Sequence, residues 1–306
     1  MLYAPGDLRI EDVPKPEPGP GDVLVQIEVA LTDGTDLKTF RRGHPVLLRD
    51  APTRFGHEFC GIVDGRRVVA ANSAPCGACD GCARGEQCRD LVFLSGAYAD
   101  WIVVPERIAA VNMNDVPAGL SPEVAAMVEP LACCLRGVER AGVQAGDAVA
   151  ILGAGPIGLM LAACVADAGG WPTIVGGRPE RQPLIDEFGA EAGEGAGADV
   201  VIEAVGTEEA WIDGLSLVRP GGTVVMFGGL PRGARPAVDA YRLHYEELTV
   251  RGSFHHTPAT VRAALGFLAS NAYPWQRLVS HQVLLADLPA LFENPPRDLL
   301  KAAVTP

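Results

Sequence analysis

The 306-residue chain contains no apolar run approaching the ~20 residues that would cross a bilayer. Its first residues, Met1-Leu2-Tyr3-Ala4-Pro5-Gly6-Asp7, carry neither the basic stretch nor the long apolar stretch of a secretory leader. These absences lead to the expectation of a cytoplasmic protein. A basic surface is also missing: 25 Lys and Arg face 38 Asp and Glu, for a net charge of −13. Such a surface repels phosphate backbones, so nucleic acid is not an expected partner. The carboxylates gather into no acidic tail and are read as solubilising. No internal repeat and no low-complexity segment interrupts the chain. Its length exceeds one ordinary hydrophobic core, which makes two domains the default.

Two textures follow one another. In the first hundred residues, Asp22-Val23-Leu24-Val25-Gln26-Ile27-Glu28-Val29 alternates as a half-buried strand does, after a proline- and glycine-rich loop at residues 14–21. Short strands are also expected at residues 61–63, 67–70 and 99–104, separated by dense turn signals, which suggests a twisted barrel or sandwich. Near Ser121-Pro122-Glu123 a helix is expected to open and to continue to about Gly142, with serine as cap and proline in the first turn. From Asp147 onward, apolar strands at residues 148–152, 172–175, 199–204 and 222–227 alternate with helices at 156–168, 180–188 and 208–217. That pattern marks a parallel sheet covered on both faces.

Val149-Ala150-Ile151-Leu152-Gly153-Ala154-Gly155-Pro156-Ile157-Gly158 reads as strand, G-x-G-x-x-G, helix. Gly153 permits the tight turn, Gly155 admits a diphosphate to the backbone, and Gly158 lets helix and strand pack closely. The diphosphate would meet the free amides of the helix that starts near Pro156. At the end of the next strand, where an NAD site places an acid for the ribose hydroxyls, stand Gly176 and Gly177, followed by Arg178. A small residue leaves room for a 2′-phosphate, and a guanidinium can hold it. NADP(H) is therefore expected over NAD(H).

Eight cysteines are present, and four of them, Cys76, Cys79, Cys82 and Cys88, share one short loop. Four thiolates at that spacing can close a tetrahedron around zinc and leave no position for water, so the expected role is structural. Cys60, Cys133, Cys134 and Cys164 sit in apolar surroundings and read as small core residues. Gly56-His57-Glu58, Asp33-Gly34-Thr35-Asp36 and Glu129-Pro130-Leu131 supply imidazole and carboxylates that suit a catalytic zinc, although spacing alone does not bring them together.

With these motifs in hand, and with Gly197-Ala198-Asp199-Val200-Val201-Ile202-Glu203-Ala204-Val205-Gly206 and Arg219-Pro220-Gly221-Gly222, the chain resembles the zinc-containing medium-chain dehydrogenase/reductase superfamily, in its alcohol, sorbitol and threonine dehydrogenase group. The resemblance extends from Gly6 to Lys301. It implies an α/β protein in which a GroES-like β-rich catalytic domain (residues 1–125, completed by 265–306) accompanies a Rossmann doubly wound cofactor domain (residues 126–264). It also implies a zinc-dependent alcohol dehydrogenase acting on a polyol, sugar or similar secondary alcohol with NADP, as a homodimer or homotetramer.

The resemblance further implies roles residue by residue. Asp33 stands where relatives carry a cysteine ligand, and an oxygen ligand is harder than a thiolate. His57 matches the histidine ligand. Glu58 matches a glutamate that ligates zinc or stands behind the ligands. Glu129 matches one that acts directly or through water. Thr35 matches the hydroxyl that passes on the proton of the alcohol, and Lys38 falls where many relatives place a relay histidine. Cofactor contacts are implied at Gly153, Gly155, Pro156, Ile157, Gly158, Gly176, Gly177, Arg178, Arg181, Ala204, Val205, Gly206, Phe227 and Gly228. His255 and His256 are read as structural. The gap from Cys82 to Cys88 is two residues shorter than usual, and residues 190–198 are short enough to suggest loss of a strand-helix stretch. Two other readings stay open here: a zinc-independent quinone or enoyl reductase of the same fold, and a non-catalytic NADP-binding protein. Metal content and an alcohol panel discriminate among them.

Overall fold

The computed structural model describes residues 1–43 and 51–306. The chain divides into two compact units, Met1–Pro130 with Thr257–Pro306, and Leu131–His256. The first contains β1 (Leu2–Ala4), β2 (Asp7–Leu8), β3 (Val23–Leu31), α1 (Gly34–Arg42), β4 (Glu58–Val63), β5 (Arg66–Ala70), β6 (Ser73–Ala74), α2 (Asp80–Ala83), β7 (Val92–Phe93), β8 (Trp101–Val104), α3 (Glu106–Asn112), β9 (Met113–Asp115) and α4 (Pro122–Ala125). Helix α5 (Val128–Ala141) carries the chain on to β10 (Ala148–Leu152), α6 (Pro156–Asp167), β11 (Trp171–Val175), α7 (Gln182–Glu187), β12 (Glu191–Gly193), β13 (Ala198–Glu203), α8 (Glu208–Leu217), β14 (Val218–Met226), α9 (Ala240–Tyr245) and β15 (Thr249–Gly252). The first unit is then completed by α10 (Pro258–Ala269), β16 (Val279–Leu284), α11 (Leu288–Glu293) and β17 (Lys301–Thr305).

The long strand β3 organises the first unit. Its first half pairs with β8 and its last residues with β17, while β4 runs along its other side, all antiparallel. Alternation along β3 sends Val25, Ile27 and Val29 inward. Val25 and Ile27 join Phe59, Val68, Ile102, Phe292 and Val304 in one apolar core. The register places Leu31 opposite both Glu58 and Ala303. The end of β3, the start of β4 and the start of β17 therefore meet at one edge of the core. The single helix expected from Ser121 to Gly142 is two, α4 and α5. Ser121 caps the first, accepting from the Val124 amide, as its position before Pro122 led one to expect.

The second unit is an all-parallel sheet in the order β12-β11-β10-β13-β14-β15. The order reverses between β11 and β13 on either side of β10, which is where such sheets open a ligand crevice. One expectation needs correction. The region near residue 190 does not lose a strand: β12 is present and only the crossover helix is gone, so residues 194–197 alone join β12 to β13. Four residues must cross the face of β11 and β10 to do this. Gly195 makes it possible, with φ +64°, because a Cβ there would lie 2.6 Å from Val175 and 2.7 Å from Ala150. The crossing strand is thinner than a helix. Trp171 is 71% exposed, and a cavity of about 410 Å³ lies between Leu152, Gly153, Val175, Val205 and residues Ala210, Asp213 and Leu217 of α8.

Candidate active site and metal centres

At the shared edge of β3, β4 and β17 the chain concentrates buried acids. Asp33 caps α1, its Oδ1 accepting from the Asp36 amide at 2.7 Å. Its second oxygen, Oδ2, lies 3.7 Å from His57 Nε2. His57 immediately precedes β4. Its Nδ1 is 3.2 Å from Asp36 Oδ1. A neutral ring that donates from Nδ1 to this carboxylate would keep the Nε2 lone pair for a metal. Asp36 also accepts from the Tyr98 hydroxyl through Oδ2. Glu58 begins β4, and both of its oxygens accept from the Lys301 ammonium, at 2.8 and 2.6 Å. The same ammonium lies 3.3 Å from the Thr32 carbonyl. Thr32 Oγ1 in turn accepts from the Ala302 amide at 2.9 Å, tying β17 to the end of β3.

Asp36 and Glu58 are 0% exposed, and Glu129 and His57 are 5% exposed. Burial opposes ionisation of Asp33, Asp36, Glu58 and His57. At Asp33 the charges of His57 and Lys301 and the Asp36 amide overcome burial and hold the carboxyl below its usual range. Burial and the neighbouring Asp33 raise Asp36. Burial pushes Glu58 up to about 8, against the pull of Lys301. His57 is lifted well above its usual value because Asp36 and Asp33 outweigh burial. Glu129, in the first turn of α5, is close enough that its charge acts on both His57 and Glu58. Four acids thus share a dry space with one ammonium and one imidazole, a shortfall of positive charge that a divalent cation would make good.

The donor set fits zinc. Ligand atoms of Asp33, His57 and Glu58 all lie within 4.8 Å of one another. Two donors on a tetrahedral zinc stand about 3.3 Å apart, near the Asp33–His57 separation. Because Lys301 grips both oxygens of Glu58, that residue is held behind the donors, with Asp33 and His57 pointing at a common point. Glu129 does not belong to the tight trio and suits a longer or water-mediated contact. Thr35 hydrogen-bonds Asp33 through its side chain, and Lys38 lies three residues on, on the same side of α1.

The second centre is closed. Sγ–Sγ separations are 3.6 Å for Cys79–Cys82 and Cys76–Cys88, and 3.9 Å for Cys76–Cys82 and Cys79–Cys88. A tetrahedron of thiolates at the zinc–sulfur distance of ~2.3 Å has edges of about 3.8 Å. The Arg89 and Cys82 amides aimed at Cys79 bring that thiol down to about 6. Burial and the neighbouring sulfurs push Cys82 up to about 12, so a cation is needed to keep all four deprotonated. The short Cys82–Cys88 gap closes because Gly81 packs on the backbone of Gln87, where a Cβ would lie 2.4 Å from the carbonyl oxygen.

In the second unit, Gly153 adopts φ +109°. A Cβ on Gly158 would lie 1.8 Å from the Gly153 oxygen, so only glycine permits that approach of α6 to the turn. Gly155, the residue before Pro156 and Ile157, faces open space. Gly176 and Gly177 follow β11 with φ +80° and +108°. Arg181 spans the two loops, its Nη1 donating to the Ala154 carbonyl at 2.5 Å, whereas Arg178 is exposed. At the end of β13, Glu203 Oε1 accepts from the Val205 and Gly206 amides at 2.6 and 2.7 Å. The Glu203 carbonyl also accepts from Phe227 and Gly228, so one residue shapes both loops around Ala204 and Phe227. His255 has φ +69°, and its ring packs between Phe254 and His256.

Sequence reasoning gave no role to Asp36, Lys301, Tyr98 or Thr32. A signal existed for Lys301, a lone cation among the apolar residues of Leu299-Leu300-Lys301-Ala302-Ala303-Val304.

Comparison with known proteins shows the family. Residues 19–115 match the alcohol dehydrogenase GroES-like domain, and residues 156–270 match the zinc-binding dehydrogenase family. An erythritol/L-threitol dehydrogenase of Mycolicibacterium smegmatis is 31% identical, over 94% of this chain and 91% of its own. A sorbitol dehydrogenase of Halalkalibacterium halodurans is 28% identical, over 93% and 91% respectively. A solved structure from Sinorhizobium meliloti, described as a zinc-binding dehydrogenase bound to NADP, superposes with TM-score 0.89 at 32% identity, covering 100% of this chain and 98% of that one. The chain belongs to the zinc-containing medium-chain dehydrogenase superfamily. Within it, the chain is an oxidoreductase of the alcohol dehydrogenase kind, with relatives named for polyols and sugar acids.

Proposed function

We propose that the chain interconverts a polyol or sugar-type secondary alcohol and its ketone, using NADP(H), with zinc at Asp33, His57 and Glu129 and a second, structural zinc at the four cysteines. The observation that carries this reading is the convergence of Asp33 Oδ2 and His57 Nε2 on one point, inside a ring of buried acids. When bound, the catalytic zinc would act as a Lewis acid toward the substrate oxygen. Thr35 takes the proton of the substrate hydroxyl and passes it along α1 toward Lys38. Glu58, gripped by Lys301, stands behind the donors without occupying a substrate position. Gly155 admits the diphosphate, and the cofactor supplies the hydride chemistry. The experiment is a panel of polyols and sugar alcohols followed by absorbance of reduced cofactor. Turnover on at least one secondary alcohol is expected, and silence across the panel with zinc and cofactor bound would favour a non-catalytic role.

The preference for NADP rests on Gly176, Gly177 and exposed Arg178 at the end of β11, with support from the NADP-bound relative. Arg181 is committed to the Ala154 carbonyl and so serves the loop. Arg178→Ala should lower kcat/KM for NADPH about 10-fold or more, the scale of a charge-assisted contact to phosphate. The value for NADH should stay within about twofold. An equal loss for both cofactors would show that Arg178 acts on the fold instead.

Cytoplasmic residence is part of the same reading, supported by eight described cysteines that form no disulfide. So is a homodimer or homotetramer. Strand β15 is a sheet edge with Val250 exposed, and Tyr241 and Tyr245 of α9 are exposed as well. Light scattering after gel filtration would return the monomer mass if this is mistaken.

A further inference from the structure

Tyr98 lies in the loop before β8 and was assigned nothing by sequence motif, yet its hydroxyl reaches the centre of the site. It donates to Asp36 Oδ2 and lies 3.1 Å from the Leu31 carbonyl oxygen. Asp36 in turn holds His57 Nδ1 at 3.2 Å through its other oxygen. We propose that Tyr98 is a positioning residue for the catalytic metal: its hydroxyl fixes the Asp36 carboxylate, which fixes the orientation and tautomer of His57. The proposal rests on the reading of His57 as a metal ligand.

The reasoning is geometric. A carboxylate anchored by one contact can swing about its Cβ–Cγ bond, and the imidazole it orients swings with it. Asp36 is anchored at both oxygens, by groups from two different segments, and is 0% exposed. The tyrosine is itself built in. Its ring packs edge-on against Phe55 and Phe292, at centroid distances of 5.7 and 6.2 Å. The loop is fastened to the segment ahead of His57: the Gly96 and Ala97 amides donate to the Gly56 carbonyl at 2.8 and 3.0 Å, and the Tyr98 amide donates to Phe55 at 3.0 Å.

Gly56 completes the device. Its φ is +87°, and a Cβ there would stand 2.7 Å from the Tyr98 ring. The glycine of Gly56-His57-Glu58 therefore admits the tyrosine that steadies the histidine behind it. Outer groups that orient a metal-bound histidine are worth about 10- to 100-fold in metal affinity. A hydroxyl acting through Asp36 belongs at the lower end of that range.

The test uses Tyr98→Phe, which keeps the ring and removes the oxygen. Zinc content and affinity are read by chelator competition, and the cobalt-substituted protein by its visible spectrum, with the four-cysteine site as internal reference. Wild type should hold two zinc per chain. Tyr98→Phe should bind the zinc of the His57 site about 10-fold more weakly and shift its cobalt bands, while the cysteine site keeps its metal. In an Asp36→Asn background, the same change should cost less than about twofold, because the hydroxyl acts through that carboxylate. Unchanged affinity and spectrum in Tyr98→Phe would overturn the proposal, and so would full additivity with Asp36→Asn. If wild type holds zinc only at the cysteines, the metal reading itself fails and the proposal falls with it.

Discussion

His57→Ala should abolish alcohol turnover while leaving dinucleotide affinity close to that of the parent protein. Nε2 of His57 is the nitrogen donor that faces Asp33 Oδ2, and Nδ1 is already committed to Asp36. Removing the imidazole leaves only oxygens around the metal point, a harder and more negative set that suits zinc less well. The charge stabilisation a metal supplies to the reacting oxygen is several kcal/mol, and each ~1.4 kcal/mol is tenfold in rate. A fall in kcat of at least about 1000-fold is therefore expected. The glycine turn, the Gly176-Gly177 loop and Arg178 belong to the other compact unit, so fluorescence titration with NADPH should give a Kd within about twofold of the parent. Zinc content should drop by one per chain, with the cysteine site unaffected. Turnover and NADPH affinity failing together would point to collapse of the fold and remove the argument for His57 as ligand.

The parts of this arrangement that were legible in the sequence are those carried by local rules. Gly153 and Gly158 announce the βα turn because each answers a backbone requirement that only glycine meets, and the Gly153–Gly158 contact bears this out, whereas Gly155 has open space beside it. Cys76, Cys79, Cys82 and Cys88 announce a metal because four thiols share one loop. What could not be read is whatever depends on register. Lys301 is separated from Glu58 by 243 positions, and nothing local says that β17 pairs with the end of β3. Even so, the chain contains only three lysines, and one of them stands in an apolar strand. A buried cation of that kind demands a carboxylate partner. Asp36 and Tyr98 were hidden for the same reason: an aspartate inside a helix and a tyrosine in a loop are ordinary until Phe55, Gly56 and residues 96–98 are seen fastened together. The shortened segment near residue 190 was read as a lost strand and helix because length alone does not reveal which element is sacrificed. Gly195, packed on Ala150 and Val175, is what lets the strand survive without its helix.

The Lys301–Glu58 pair makes the largest stability prediction. Lys301→Met keeps the length of the side chain and removes its charge, so Glu58, at 0% exposure, loses the partner of both its oxygens. Breaking a buried pair on one side costs about 3–5 kcal/mol. The cost should depend on pH, with a definite sign. Even with Lys301 present, burial raises the Glu58 carboxyl from its usual 4.5 to about 8. Without the ammonium, burial acts unopposed by it and the group is raised further. A carboxyl whose pKa is raised on folding favours the folded state fully only below its unfolded value. That contribution is lost as pH rises through the folded value, at up to about 1.4 kcal/mol per pH unit. Relative to the parent protein, urea unfolding of the variant should therefore show a small, steady deficit from about pH 5 to about pH 7 that widens above about pH 8, where Glu58 of the parent ionises and that of the variant does not. Lys301→Met combined with Glu58→Gln removes both charges and should recover much of the loss at about pH 9, since a neutral pair leaves no buried ion behind. A deficit equal at about pH 5 and about pH 9, or a double variant no more stable than the single one, would mean that Lys301 contributes packing alone and does not hold the charge of Glu58 in place.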